Sequence, residues 1–168
     1  MGIVLSDDDM RKAFTDAGLP RSYHAKDLTL KSVKADGEAM GKALSQRSNF
    51  HGKWIEIASE DLFYLTVRAM VVKQIPVMVV YAEHLMNGSR SEAIDTMLAQ
   101  GGVLAIEGLT PEGGDPFGKG RFSLEWMLGR WLKDNNSFLA LTDTPLANFD
   151  ELWSRRFREL LAARKLSI

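Results

Sequence analysis

The sequence predicts an α/β fold, a three-layer sandwich with a mostly parallel sheet, and three observations carry that prediction. Between residues 53 and 165, strand-length apolar runs alternate with helix-length amphipathic segments. Several of the runs, such as Ile75-Pro76-Val77-Met78-Val79-Val80, are apolar throughout instead of alternating, which suits strands buried on both faces. The intervening segments are long enough to be crossover helices, which parallel strands require.

Residues 1–50 are polar and irregular in pattern and read as an N-terminal extension or docking segment ahead of a domain at 51–168. Leu19-Pro20-Arg21 breaks an early helix, because proline lacks an N–H and restricts the residue before it. Residues 36–46 form a short amphipathic helix with Met40, Ala43 and Leu44 on one face. Residues 53–57 alternate as a strand. Ser59-Glu60-Asp61 then supplies an N-cap and a first turn rich in acid, opening a helix over 62–73 with Leu62, Leu65, Ala69 and Val72 inward. The order continues with a strand at 75–80, a helix at 91–99, a strand at 103–106, a helix at 121–132, a strand at 138–141 and a basic helix at 150–165. There is no internal repeat and no low-complexity tract.

Composition narrows the function. The chain has 168 residues, 45% of them hydrophobic and 26% charged, with 21 Lys+Arg against 22 Asp+Glu and a net charge of -1. That size suits one domain, and the balance does not mark a global nucleic-acid or membrane binder. The absence of cysteine excludes disulfides, thiolate metal sites and cysteine nucleophiles, in keeping with a cytoplasmic location. The first residues lack the pattern of a secretory signal. The longest apolar run, 77–82, is far below the roughly 18 residues of a membrane span.

In a parallel α/β sheet, ligands sit at the carboxyl ends of the strands, which here are Ala58, Tyr81, Glu107 and Thr142-Asp143. The features along the chain resemble, in order, those of the bacterial helicase-loader family of AAA+ ATPases, the DnaC/IstB-like group. Ala17-Gly18-Leu19-Pro20-Arg21 is similar to that family's Gly-Ile-Pro segment, and 73–80 to its second strand. Residues 103–109 (Val-Leu-Ala-Ile-Glu-Gly-Leu) fall where the family has its Walker B strand. Residues 124–135 and 138–145 resemble the helix before the sensor strand and that strand itself. The resemblance covers roughly residues 14–160 and implies a P-loop NTPase fold.

Departures from the family pattern imply loss of its chemistry. A phosphate loop needs glycines, free amides, a lysine and a Ser/Thr for magnesium; here Ile57 runs almost directly into Ser59, and Glu60 and Asp61 stand where phosphate charge would lie. At the degenerate Walker B position Glu107 is followed by Gly108, which cannot orient or deprotonate a water, and Thr142-Asp143 occupies the sensor position. The resemblance with these departures implies a pseudo-ATPase with no catalytic residues, no cofactor and no metal. Gly113-Gly114-Asp115-Pro116-Phe117-Gly118-Lys119 matches the phosphate-loop spacing but ends in Gly120 in place of Ser/Thr, and reads as a glycine-rich connector. Lys119 and Arg121 there are candidates for touching DNA or a partner.

The densest cationic segment is 153–168, where Arg155, Arg156, Arg158, Arg164 and Lys165 against Glu159 give a local charge of +4. In the family an arginine of this helix completes a neighbour's nucleotide site, so Arg155, Arg156 and Arg158 become candidates for reaching a partner ATPase. The bland alternative is cations placed near a helix C-terminus, where the dipole favours them. His24, His51 and His84 are too scattered for a metal site. Trp54, Trp126, Trp131 and Trp153 read as core or edge packing, and Glu56 as an outward residue that needs no catalytic role. The sequence thus leads to a non-catalytic protein that binds a replicative helicase, a helicase loader or an initiator and regulates DNA replication. The alternative is a DNA-binding accessory protein using the basic last helix. Self-association is open, and a small enzyme using Glu107 and Asp143 as a carboxylate pair stands third.

Overall fold

A computed structural model of the chain describes residues 6–25, 27–46, 50–86, 101–109, 119–146 and 153–168. Four strands, β1 (Trp54–Ile57), β2 (Val77–Tyr81), β3 (Val103–Glu107) and β4 (Ser137–Leu141), form an all-parallel sheet in the order β1-β4-β3-β2. Each strand lies within two residues of the expected position. The helices are α1 (Asp7–Asp16), α2 (Lys34–Ser45), α3 (Glu60–Val72), α4 (Ala82–Met86), α5 (Lys119–Lys133) and α6 (Arg155–Arg164), with short 3-10 turns at Arg21–Tyr23 and Leu30–Val33. The helix expected at 91–99 and the stretch Gly113 to Gly118 lie outside the described residues.

Alternate strand residues feed two cores, one on each face. Ile55, Ile57, Val103, Ala105 and Leu139 pack with α1, α2 and α3, while Trp54, Leu104, Ile106, Phe138 and Ala140 pack with α4, α5 and α6. Residues 6–50, expected as an extension ahead of the domain, contribute Phe14, Leu19, Met40, Leu44 and Phe50 to the first of these cores. Of the expected inward stripe of α3, Leu62 and Leu65 are buried, but Phe63, Val67 and Met70 lie deepest and Val72 faces solvent at 47% exposure. Among the described residues no helix is long and apolar enough to cross a membrane.

Local chemistry fixes the element ends. Ser6, Ser59 and Ser154 cap α1, α3 and α6 by accepting the amides of Asp9, Leu62 and Phe157 at 3.2 Å. α1 stops at Gly18 (φ +80°), where the Leu19 amide reaches back to the Phe14 carbonyl at 3.0 Å, a left-handed closure in which Pro20 follows and does not itself break the helix. Asn135 (φ 62°) closes α5 in the same manner. The last helix begins at Arg155, not at 150, because Ser154 takes the capping position.

Both sheet margins are occupied. On the β2 side, the Val79 amide donates to the Ala17 carbonyl at 2.8 Å, and a side chain at residue 18 would lie 3.2 Å from the Val79 Cβ. On the β1 side, Lys165 bridges Trp54 in parallel and the Leu166 amide donates to the Trp54 carbonyl at 2.8 Å. Each margin thus has an edge group taken up by the chain's own backbone, where open edges invite pairing with other chains.

Candidate functional site

The strand order places the ligand crevice. The chain leaves β1 for α3 on one face, whereas the helices that follow β3 and β4 lie on the other, so the connections diverge at the carboxyl ends of β1 and β4. Such a switch point is where open α/β sheets bind ligands. Beside it, at the strand ends, the chain's own side chains pair with one another. The Tyr64 hydroxyl, from α3, donates to the Glu107 carboxylate at the end of β3. The Tyr23 hydroxyl donates to Asp61 at 2.6 Å, and the Tyr23 and Tyr64 rings lie 5.0 Å apart. Arg68 holds the turn that carries Tyr23 by donating to the carbonyls of Tyr23 (3.1 Å) and Ala25 (3.0 Å), its guanidinium 5.0 Å above the Phe14 ring.

Both phenols resist ionisation. The hydrogen bond to Asp61, then burial, pushes Tyr23 up to about 12. Burial, then the bond to Glu107, pushes Tyr64 up further still. Burial lowers the pKa of Arg68, with Asp27 opposing. The tyrosines therefore stay neutral donors and the acids they serve are engaged.

The remaining strand-end residues are also committed internally. Gly108 has φ +79°, and a Cβ there would stand 2.7 Å from the Tyr81 ring, so this position accepts no side chain without displacing Tyr81. The Thr142 amide extends the ladder to the Ile57 carbonyl at 3.0 Å, and its hydroxyl donates to the Thr144 carbonyl at 2.7 Å while accepting the Thr144 amide at 3.2 Å. Asp143 is exposed, and the structure gives it and Glu107 no common partner. Glu56, for which no catalytic role is expected, accepts the Leu146 amide at 2.9 Å and pairs with Lys165 at 3.6 Å, a structural tie between the loop after β4 and the segment after α6. Among the described residues no three His, Asp or Glu side chains stand together as metal ligands. The His24 ring instead meets the Leu19 carbonyl at 2.8 Å.

The cationic segment divides. Arg164 donates to the Gly52 carbonyl at 3.3 Å and Lys165 pairs with Glu56, so these two staple the fold. Arg155 pairs with Glu159 at 3.2 Å, and Arg158 is half-buried and engaged. Arg156 is exposed and has no ion-pair partner among the described residues. Because α6 starts at Arg155, Arg155 and Arg156 sit in its first turn, where the dipole disfavours cations, while Arg164 lies in its last turn, as the bland alternative has it. Lys119 and Arg121 fall in the first turn of α5; their side chains lie outside the described residues.

Arg156 faces an open trough of about 810 Å³ between α5 and α6. Gly129, Phe157 and Leu160 form its floor, and Trp126, Arg130, Lys133 and Arg156 its rim. Its two carboxylates are taken, Glu125 by the Ser154 amide at 2.5 Å and Glu159 by Arg155. Of the four tryptophans expected in core or edge packing, Trp54, Trp131 and Trp153 are buried, and Trp126 is 64% exposed. A signal for this was present: Leu124, Leu128, Trp131 and Leu132 mark the inward stripe of α5, and Trp126 lies on the opposite face.

Compared with known proteins, the chain matches no family model and no curated sequence.

Proposed function

We propose that this chain is a non-catalytic AAA+-like domain that acts by binding a replication ATPase, whether replicative helicase, helicase loader or initiator, and so regulates DNA replication. The carrying observation is that the acids at the crevice are engaged by the chain's own phenols. Where a nucleotide would lie, Tyr64 occupies Glu107, Tyr23 occupies Asp61, and the Tyr81 ring fills the space beside Gly108. The α3 N-terminus, the natural phosphate site of such a fold, carries Glu60 and Asp61 in its first turn and repels phosphate.

The strand order adds support. β1 neighbours β4 and is separated from β2, with residues 165–166 along its other side. Classic dinucleotide-binding sheets keep β1 beside β2, an order this sheet does not share. Of Arg155, Arg156 and Arg158, Arg156 is the one left for a partner.

The test has two arms. Millimolar Mg-ATP is expected to leave the melting temperature unchanged, since a ligand bound only by the folded state raises it; a rise overturns this reading of the crevice. Sedimentation with purified helicase, loader and initiator is expected to yield a complex with one of them that Arg156→Ala weakens. No complex with any of the three overturns the partner assignment. A second reading, the DNA-binding accessory protein, draws on Trp126 beside Arg130, Lys133 and Arg156. It calls for duplex binding that disappears as salt rises.

A further inference from the structure

The α5–α6 trough combines features that work against stability in isolation. Residues 126, 129, 130 and 133 share one face of α5 at i, i+3, i+4 and i+7 spacing, placing Trp126, Gly129, Arg130 and Lys133 on the same stripe. An exposed indole, a mid-helix glycine and two cations stand together there. Across the trough α6 offers Arg156, in a first turn that holds no acid. Arg130, Lys133 and Arg156 have no ion-pair partner among the described residues, and both carboxylates of the trough are already engaged. Three like charges around an apolar floor repel one another and disfavour the folded state unless an anion joins them.

Gly129 is not required by packing. A methyl at its Cβ would meet only the Leu160 Cδ2, at 3.8 Å, an ordinary contact. Glycine inside a helix nonetheless costs stability relative to alanine. Its effect here is to keep the floor low and Leu160 accessible. The stripe from 126 to 133 runs about 10 Å, two helical turns, the span over which an amphipathic helix places its anchors in a groove.

We infer that the α5–α6 trough is the docking site for an acidic amphipathic helix of a protein partner. Its apolar residues would rest on Gly129, Phe157 and Leu160, packed beside Trp126, with its carboxylates answered by Arg130, Lys133 and Arg156. The inference deepens the binding reading above, and names the surface and the chemistry of what it takes. The floor favours a peptide over a single-stranded nucleic acid. Strand binding uses successive aromatic platforms, and Trp126 is the one exposed aromatic among the described lining residues. The open shape argues against a small molecule, since such sites enclose most of the ligand surface.

The test is selection of the full chain against a random displayed peptide library. It needs no replication protein, so its outcome is separable from that of the helicase and ATP experiments. Expected is enrichment of acid-rich peptides with apolar residues at i, i+3 or i+4, and i+7. A synthetic peptide of that family should gain helicity on binding and alter Trp126 fluorescence. It should bind at least about tenfold more weakly to Trp126→Ala and to Arg130→Glu/Arg156→Glu. Trp126 is exposed, so the first variant keeps its fold; melting curves check both. Gly129→Leu, which fills the floor, should weaken binding likewise. The inference is overturned if no acidic amphipathic family is enriched, or if selected peptides bind the variants as well as the wild type. It is equally overturned in favour of nucleic acid if oligo-dT binds in a Trp126-dependent manner while the peptides do not. It gives way to a second copy of this chain if light scattering shows self-association that Trp126→Ala abolishes.

Discussion

At the strand ends and in the α5–α6 trough the same chain treats polar groups in opposite ways. In the crevice, Glu107, Asp61 and the Thr142 hydroxyl are each answered by a partner from a distant or neighbouring segment, and a glycine there has a ring pressed against it. In the trough, Arg156 in a helix first turn and Arg130 and Lys133 along a helix face have no counterion among the described residues, and a glycine there would meet only an ordinary contact, the Leu160 Cδ2 at 3.8 Å. Local rules are kept in the first region and broken in the second. Departures from local rules are expected where function imposes them, and so the contrast directs attention from the sheet to the helices.

The largest effect expected of a single change belongs to the strand ends. Gly108→Ala introduces a side chain at φ +79° and 2.7 Å from the Tyr81 ring. Backbone strain and overpacking together should cost about 2–4 kcal/mol in urea unfolding. Adding Tyr81→Ala should restore the packing part and leave the strain. If Gly108→Ala is neutral, the Tyr81 ring does not stand against Gly108 in the way described.

Next is Tyr64→Phe, which leaves the half-buried Glu107 carboxylate without its donor and should cost about 1–2 kcal/mol. The phenols also give a pH signature. Their pKa values are raised in the folded state, so their hydrogen bonds contribute fully below pH 10 and are lost as pH rises through about 12 for Tyr23. Ultraviolet titration of the folded protein should contain a tyrosine ionising near pH 12 that Tyr23→Phe removes.

The open region should respond with the other sign. Gly129→Ala is expected to raise stability by about 0.5–1 kcal/mol, and a loss on thermal denaturation would mean that the trough floor is more crowded than described. Smallest is Arg156→Glu, which replaces a cation with an anion in the first turn of α6. It should add about 0.3–1 kcal/mol at low ionic strength and nothing in molar salt. A substitution that stabilises the fold while abolishing partner binding would separate the two regions most sharply.

The sheet was legible because its strands are short apolar runs, and because burial on both faces imposes a pattern that local composition carries. The crevice was only half legible. The missing phosphate loop is visible in Ile57-Ala58-Ser59, but the bonds Tyr23–Asp61 and Tyr64–Glu107 join residues 38 and 43 apart, and no local signal announces them. Gly108 read as a lost acid; its physical reason, the Tyr81 ring, appears only once β2 and β3 lie side by side with Tyr81 in register with Glu107. The helix expected over 150–165 begins at Arg155, since Ser154 is the residue that caps it. The trough depended on two helices crossing, which periodicity does not encode, although the outward placement of Trp126 was already in the stripe of α5.

The pairing of Trp54 with Lys165 and Leu166 also sets the order in which the sheet is finished. Gly52 and Arg164, which meet beside that pairing, are 112 residues apart. At about 5–20 residues per second of synthesis, roughly 5–20 s separate the emergence of the first strand from that of the segment that seals its margin. During that interval the first strand of the sheet has an open flank. The oldest strand is the last to be protected, so the newborn chain exposes a strand flank that the finished one does not.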